Sequence, residues 1–309
     1  MSVPLKFVLD QGPVLAGLGL TALAALKQRS GKGPAQLTAP ALPGPELTAT
    51  LPPRRPELIA AYIRHVGGDP STWRGQLPPH LFPQWSFGLA ARTLTDVPYP
   101  IAKVMNGGCR LEVRAPIPAN EPLNVRVCLE SIDDDGRRAV LCQRIITGTA
   151  SSPDALEARL FAIVPLAKPA GGKPAGGKPA GGKGGAGGRE KPRVPSDAKE
   201  LARWRLRPDA GLDFAKLTGD FNPVHWIPAY ARAFGFRNTI LHGFATMARA
   251  YEGLERIGFL GTRRLTRLDV KFTRPLVLPA RVGLYRIGDD EVAVGDAVGG
   301  PAYMLGQFA

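Results

Sequence analysis

The sequence predicts an α+β protein made of two halves, each opening with helical segments and continuing as a run of antiparallel strands. Three observations carry this. Apolar residues Phe244, Met247, Ala248, Tyr251 and Leu254 recur at helical spacing over 243–257, which reads as one buried helix. Helical patterns are twice followed by strand-like segments separated by Gly/Asp turns. Between the two runs, Pro-Ala-Gly-Gly-Lys is repeated at 169–173, 174–178 and 179–183. Such a run cannot bury apolar surface and reads as a charged, flexible tether. The organisation expected is therefore an apolar, Pro-rich extension over 1–53, a first unit over 54–167, a linker over 168–195 and a second unit over 196–309.

The extension holds an uncharged run rich in Leu, Ala and Gly over 11–26, closed by Lys27 and Arg29. It is shorter than the ~20 residues of a membrane span, and it lacks the basic start and cleavage site of a signal peptide. A helix packed on the protein or lying on a membrane surface is expected.

In the first unit, 57–66 forms a short helix broken by Gly67-Gly68-Asp69-Pro70, and a second helix runs over 81–94. Strands are expected over 101–105, 109–114, 123–131, 138–148 and 155–165, with Asp133-Asp134-Asp135-Gly136 turning one hairpin. His65 ends a helix and reads as a surface residue, and His80 sits among prolines with little claim on a substrate. In the second unit, 199–206 reads as a strand and 213–217 leads into a tight turn. After the buried helix, strands follow over 265–273, 280–287, 291–298 and 302–308. A lone sheet in either half would expose an edge and an apolar flank, so the two sheets should join within the chain.

With 309 residues, 44% hydrophobic and 21% charged, the chain is long enough for two domains with their own cores. Cys109, Cys128 and Cys142 fall in expected strands without metal-ligand spacing, which suits small buried hydrophobes in a reducing cytoplasm. Of the net charge of +14, seven basic residues against Glu190 within 168–193 supply +6, leaving about +8 for the rest. No zinc-finger spacing, helix-turn-helix pattern or RNA-binding aromatic motif accompanies that charge, so nucleic acid is not the expected partner. Attraction of an anionic carrier is.

The chemistry concentrates in Gly219-Asp220-Phe221-Asn222-Pro223-Val224-His225 and in His242-Gly243. Gly219 and Asn222-Pro223 punctuate a tight turn that can bring Asp220 and His225 to one side. Pro228 opens a short helix that Gly235 stops. At Gly243 a buried helix begins, whose free N–H groups and dipole favour developing negative charge. Alone, an aspartate in a turn usually bonds its own backbone, and a single histidine says little. Together they suit general acid/base chemistry beside a carbonyl, above all addition or removal of water α,β to it.

This motif, with Pro228, Gly235-Phe236 and Ile240-Leu241-His242-Gly243, resembles the signature of the MaoC-like, or hydratase 2, family of enoyl-thioester hydratases and dehydratases. The resemblance implies a hot-dog fold, an antiparallel sheet wrapped around a central helix. Extended over 54–309 it implies a double hot-dog whose two sheets join as a pseudo-dimer. The first half has no Asp-x4-His element and would be the non-catalytic partner that widens the acyl tunnel. The implied activity is (R)-specific hydration of trans-2-enoyl thioesters, or the reverse dehydration. Asp220 and His225 would be the catalytic pair, and the Gly243 N–H would hold the thioester oxygen. Asn222, His242, Phe244 and Tyr251 would line the substrate site. Thr239 stands where many relatives have proline, and Tyr251 where some have a small polar residue. Neither metal nor redox cofactor is implied, since two of the four histidines lie in the proposed site and lack a ligand set; coenzyme A or phosphopantetheine would be part of the substrate. The expected partners are acyl-CoA or an acyl carrier protein, with homodimerisation and peripheral membrane contact open, in the cytoplasm. Two rival readings stay open: a hot-dog acyl-thioesterase, and a non-catalytic acyl-thioester binder.

Overall fold

Alternation of buried and exposed residues dominates the strand segments and builds one sheet. In the computed structural model, which describes residues 2–12, 14–16, 19, 40–166, 191–256 and 264–309, twelve strands are present among the described residues. These are β1 (Leu47–Leu51), β2 (Gln76–Leu77), β3 (Met105–Val113), β4 (Ile117–Pro118), β5 (Leu123–Asp134), β6 (Arg138–Gly148), β7 (Leu156–Pro165), β8 (Lys199–Leu206), β9 (Arg267–Phe272), β10 (Ala280–Ile287), β11 (Glu291–Gly295) and β12 (Ala302–Phe308). Ten of them form a single sheet in the order β1-β5-β6-β7-β3-β9-β12-β11-β10-β8, and β2 and β4 make a separate pair. The expected union of two sheets occurs where β3 meets β9 antiparallel, with Arg110 opposite Asp269 and Glu112 opposite Arg267. Arg110 Nε–H also donates to Asp269 Oδ2 at 2.7 Å, so a charge pair spans the junction.

Among the described residues, the helices with full bounds that lie against this sheet or at its ends are α1 (Pro56–His65), α2 (Pro83–Arg92), α3 (Ala210–Thr218), α4 (Pro228–Ala233) and α5 (Gly243–Arg256). Each half repeats one plan. A helix ends on a left-handed glycine, Gly67 (φ 88°) after α1 and Gly219 (φ 82°) after α3, and a loop then leads into the half's central helix, α2 or α5. The two central helices meet where Phe82 packs edge-on against Phe244, ring centroids 5.6 Å apart. On α5, Phe244, Met247, Tyr251 and Leu254 are buried. Full burial of such a side chain contributes roughly 1.5–3 kcal/mol, so the helix is held by its packing rather than by its intrinsic propensity. The architecture is α+β, the double hot-dog expected from the sequence.

Several boundaries differ from the sequence expectation, each for a local reason. Leu47–Leu51, assigned to the extension, is an edge strand paired with β5. The strand expected over 101–105 starts only at Met105, the first residue of β3: Ile101–Lys103 is a 3-10 turn after Pro100, and Ile101 is drawn into a small apolar cluster with Leu94, Val97, Leu129 and Leu141. Residues 213–217 lie within a full helix, α3. His65, read as a surface residue, is half-buried with its ring tilted against Phe214. The three cysteines are free and buried. Most of the 11–26 run, most of the 168–195 linker and the end of the 243–257 helix lie outside the described residues. Among the described residues no helix is long and apolar enough to cross a membrane.

Candidate active site

The site starts where α3 stops. Gly219 accepts the left-handed conformation that ends the helix, and its N–H donates to the Ala215 carbonyl at 2.8 Å. Asp220 follows directly. The next turn is built by Asn222, whose Oδ1 accepts the Val224 N–H at 3.2 Å, and by Pro223, which opens a 3-10 turn ending at His225. Trp226 closes it from outside, Nε1–H donating to the Phe221 carbonyl at 3.1 Å. His225 is then fixed by a single bond: its Nδ1 lies 2.9 Å from the Ile240 carbonyl. A carbonyl only accepts, so Nδ1 carries the hydrogen and Nε2 is left with a free lone pair.

His242 grips the same turn from the other side. Its Nε2–H donates to the Asp220 backbone carbonyl at 2.9 Å and lies 3.8 Å from Asp220 Oδ2. The His225 and His242 rings stack at 3.5 Å between centroids, 24° from parallel. One donor atom from each of Asp220, His225 and His242 lies within 4.8 Å of the others. Stacked rings hold their in-plane lone pairs side by side rather than converging, and one nitrogen of each ring is committed to a backbone carbonyl. The trio therefore suits proton handling better than coordination of an ion.

Gly243 begins α5 next to His242. Its N–H and that of Phe244 have no acceptor among the described residues. A Cβ on Gly243 would stand 2.6 Å from the Phe272 ring, so this helix start tolerates only glycine without rearrangement. Phe244 is walled by Phe82, Phe87 and Phe272 in edge-to-face contacts, giving the helix start an apolar border.

Burial dominates the electrostatics, although the Asp220 side chain keeps 15% of its surface exposed. It raises the Asp220 carboxyl above the usual carboxylate value, opposed by His225 and by the Asn222 N–H. It lowers His225 below the usual histidine value, opposed by Asp220 and the Ile240 carbonyl. His242 is pushed well below that value by burial and then by its neighbour His225. All three shifts disfavour the charged forms, so the buried pair and its stacked neighbour favour neutrality.

Of the residues singled out from sequence, Asp220, His225, His242 and Gly243 gather at one place. Asn222 braces the turn through its side chain, and Phe244 forms part of the apolar wall. Tyr251 lies eight residues further along α5, about 12 Å of helix rise, where its hydroxyl donates to the Leu265 carbonyl. It lines a separate cavity of about 170 Å³ with Trp73, Leu77, Val113, Ile117 and Leu265. His80 also lies away from the turn, fully buried between Tyr62 and Glu252. Sequence reasoning missed Phe272, Phe82 and Phe87, which only the tertiary fold brings to Phe244 at the start of α5.

Fold and site together define a double hot-dog protein with an Asp/His turn over the start of its second central helix. The model of the MaoC like domain matches residues 191–287. The chain is 35% identical over 97 residues to 3-hydroxyacyl-thioester dehydratase X of Mycobacterium tuberculosis, covering 31% of this chain and 32% of that protein. It is 33% identical over 156 residues to enoyl-CoA hydratase ChsH3 of the same organism, covering 47% of each. The aligned regions thus span less than half the length of these relatives. Among solved structures, HtdX of Mycobacterium tuberculosis superposes with a TM-score of 0.65 at 20% identity, over 85% of this chain and 99% of that one. A Mycobacterium tuberculosis protein described as having a double hotdog fold superposes at 0.53 and 15% identity, over 87% and 96%.

Proposed function

We propose that the protein is a hydro-lyase that hydrates trans-2-enoyl thioesters, or dehydrates (R)-3-hydroxyacyl thioesters, in fatty-acid metabolism. The observation that carries this is the convergence of Asp220 and His225 in one turn beside the unpaired N–H groups that begin α5. The activities named for the relatives, 3-hydroxyacyl-thioester dehydratase and enoyl-CoA hydratase, support the same reading.

In this reading Asp220 is the acid and His225, whose Nε2 has a free lone pair, is the base; burial shifts both groups away from their charged forms, the direction that assignment needs. In hydration, His225 Nε2 takes a proton from water as the water oxygen bonds to Cβ of the enoyl group. The π electrons move toward the thioester carbonyl, and Asp220 delivers its proton to Cα. Transfer of the proton from His225 to Asp220 restores the pair. The charge developing on the thioester oxygen is met by the Gly243 N–H, a preorganised donor of a kind that contributes about 3 kcal/mol. Asp220 and His225 act from one turn, which supports syn addition.

The carrier attached to the acyl group, coenzyme A or acyl carrier protein, is an anion in either case and suits the basic surface. Incubation with crotonyl-CoA tests the proposal. Loss of enoyl absorbance without release of free thiol is expected. Release of thiol would make the protein a thioesterase, and no change in either signal would leave a binder without this chemistry.

A further inference from the structure

The first residues of the chain pack along α3, the helix that delivers Asp220. The Val3 N–H donates to Asp213 Oδ1 at 3.0 Å, and Lys216 Nζ donates to the Val3 carbonyl at 2.9 Å. Phe7 is buried, and so is Val14. Gln11 is completely buried at the other end of α3. Its Nε2 lies 3.3 Å from the Lys216 carbonyl and 3.2 Å from that of Leu217, two of the last carbonyls of α3, which have no intrahelical partner. Nε2 also lies 3.0 Å from the Phe7 carbonyl, which holds the side chain to its own segment.

The other end of the amide reaches the first half. Gln11 Oε1 accepts from Gln84 Nε2 on α2 at 3.2 Å, and Gln84 Oε1 accepts from Arg54 Nη1 at 3.4 Å. A buried chain of hydrogen bonds therefore runs from Arg54 through Gln84 and Gln11 to the end of α3. The contact continues one residue further, because a Cβ on Gly219 would stand 2.8 Å from Val14 Cβ and 3.2 Å from Gln11 Cβ. Residue 220 is next in the chain. The Asp220 carboxylate is itself held only loosely, by the Asn222 N–H at 3.4 Å, so its place is set by the backbone around 219 and 220. That backbone is gripped on one side by the His242 bond to the Asp220 carbonyl and on the other by this segment.

We propose that Gln11 is a positioning residue for the proposed hydro-lyase reaction: by capping the end of α3 and tying it to α2, it sets where Asp220 stands relative to His225. It touches neither substrate nor reacting atoms. The first residues of the chain are then a strap on the catalytic turn rather than an appendage. The inference rests on the catalytic reading above for its kinetic consequence and on the hydrogen bonds alone for its structural one.

The test uses the whole 309-residue chain. Gln11→Leu keeps the volume and removes the donor. It is expected to lower kcat toward crotonyl-CoA by up to about 100-fold, with KM little changed, because displacement of a catalytic group by about 1 Å has that effect. Gln11→Glu sets a carboxylate against two carbonyls, and its kcat relative to the parent protein should recover as pH falls and protonation restores a donor. A purely structural loss would not follow pH in that way. Amide hydrogen exchange in Gln11→Leu should rise at 219–225 while the strands β5, β6 and β7 keep their protection. If Gln11→Leu does not fold, Gln84→Met, which removes the bond to Gln11 Oε1, gives the same readouts in milder form. Folded variants with kcat within about twofold of the parent protein would overturn the proposal. If the parent protein itself does not hydrate crotonyl-CoA, the catalytic reading fails separately, and unchanged exchange at 219–225 would then overturn the positioning role.

Discussion

The imidazoles of His225 and His242 stack face to face at 3.5 Å, and each donates its one N–H to a different backbone carbonyl, Ile240 for the first and Asp220 for the second. Two positive rings at that distance would repel strongly in a buried site, so the stack is compatible with catalysis only while His242 stays neutral. His242 thereby fixes the tilt of His225 and the backbone of Asp220 at once.

The stack predicts the acid side of the pH profile. Burial lowers His225 below the usual histidine value, so its Nε2 takes up a proton at lower pH than an ordinary histidine does. The acid limb of kcat/KM, which reports the free enzyme, should have an apparent pKa below 6.5. A limb at or above 6.5 would contradict the neutral stack.

Gly243 makes a prediction about packing. In Gly243→Ala the new methyl would meet the Phe272 ring, 2.6 Å from the Cβ position. Overpacking of this kind costs about 1–3 kcal/mol, so the urea midpoint should fall, and kcat should fall with it as the helix start shifts. A variant with unchanged midpoint and turnover would mean that the Phe272 contact yields freely.

Glu252 predicts a loss of stability away from the proposed chemistry. Its carboxylate Oε1 accepts from Trp73 Nε1–H at 2.8 Å and lies 3.0 Å from His80 Nε2, inside the protein. Glu252→Ala leaves both donors buried without that acceptor and should cost about 3 kcal/mol in chemical denaturation. A change under about 0.5 kcal/mol, the range of an ordinary surface substitution, would show that water replaces the carboxylate.

How much of this could be read from the chain alone depends on whether the signal is local. The Asp220 to His225 turn, the α5 stripe and the strands Arg138–Gly148 and Ala280–Ile287 were legible because spacing and turn residues sit within a few positions of one another. The strand Leu47–Leu51 was not, since five residues between prolines carry little pattern and gain their partner, β5, more than seventy residues away. His80 read as a residue with little claim on a substrate because its pairing with Glu252 exists only once the halves dock. His242 was legible as a member of the site but not as the ring stacked on His225. The Gln11 contact with α3 spans about two hundred residues of sequence, and no periodicity announces it.

The most direct measurement is a double-variant cycle on Asp220 and His225, the proposed catalytic pair. Asp220→Asn and His225→Ala should each lower kcat/KM for crotonyl-CoA by at least about 100-fold, the scale of a general acid or base. Because His225 takes the proton from water while Asp220 gives one to Cα in the same addition, and the pair is restored by transfer between them, the double variant should lose about as much as the worse single variant. Losses that multiply to their full product, or near-normal turnover in either single variant, would contradict a pair working as one unit.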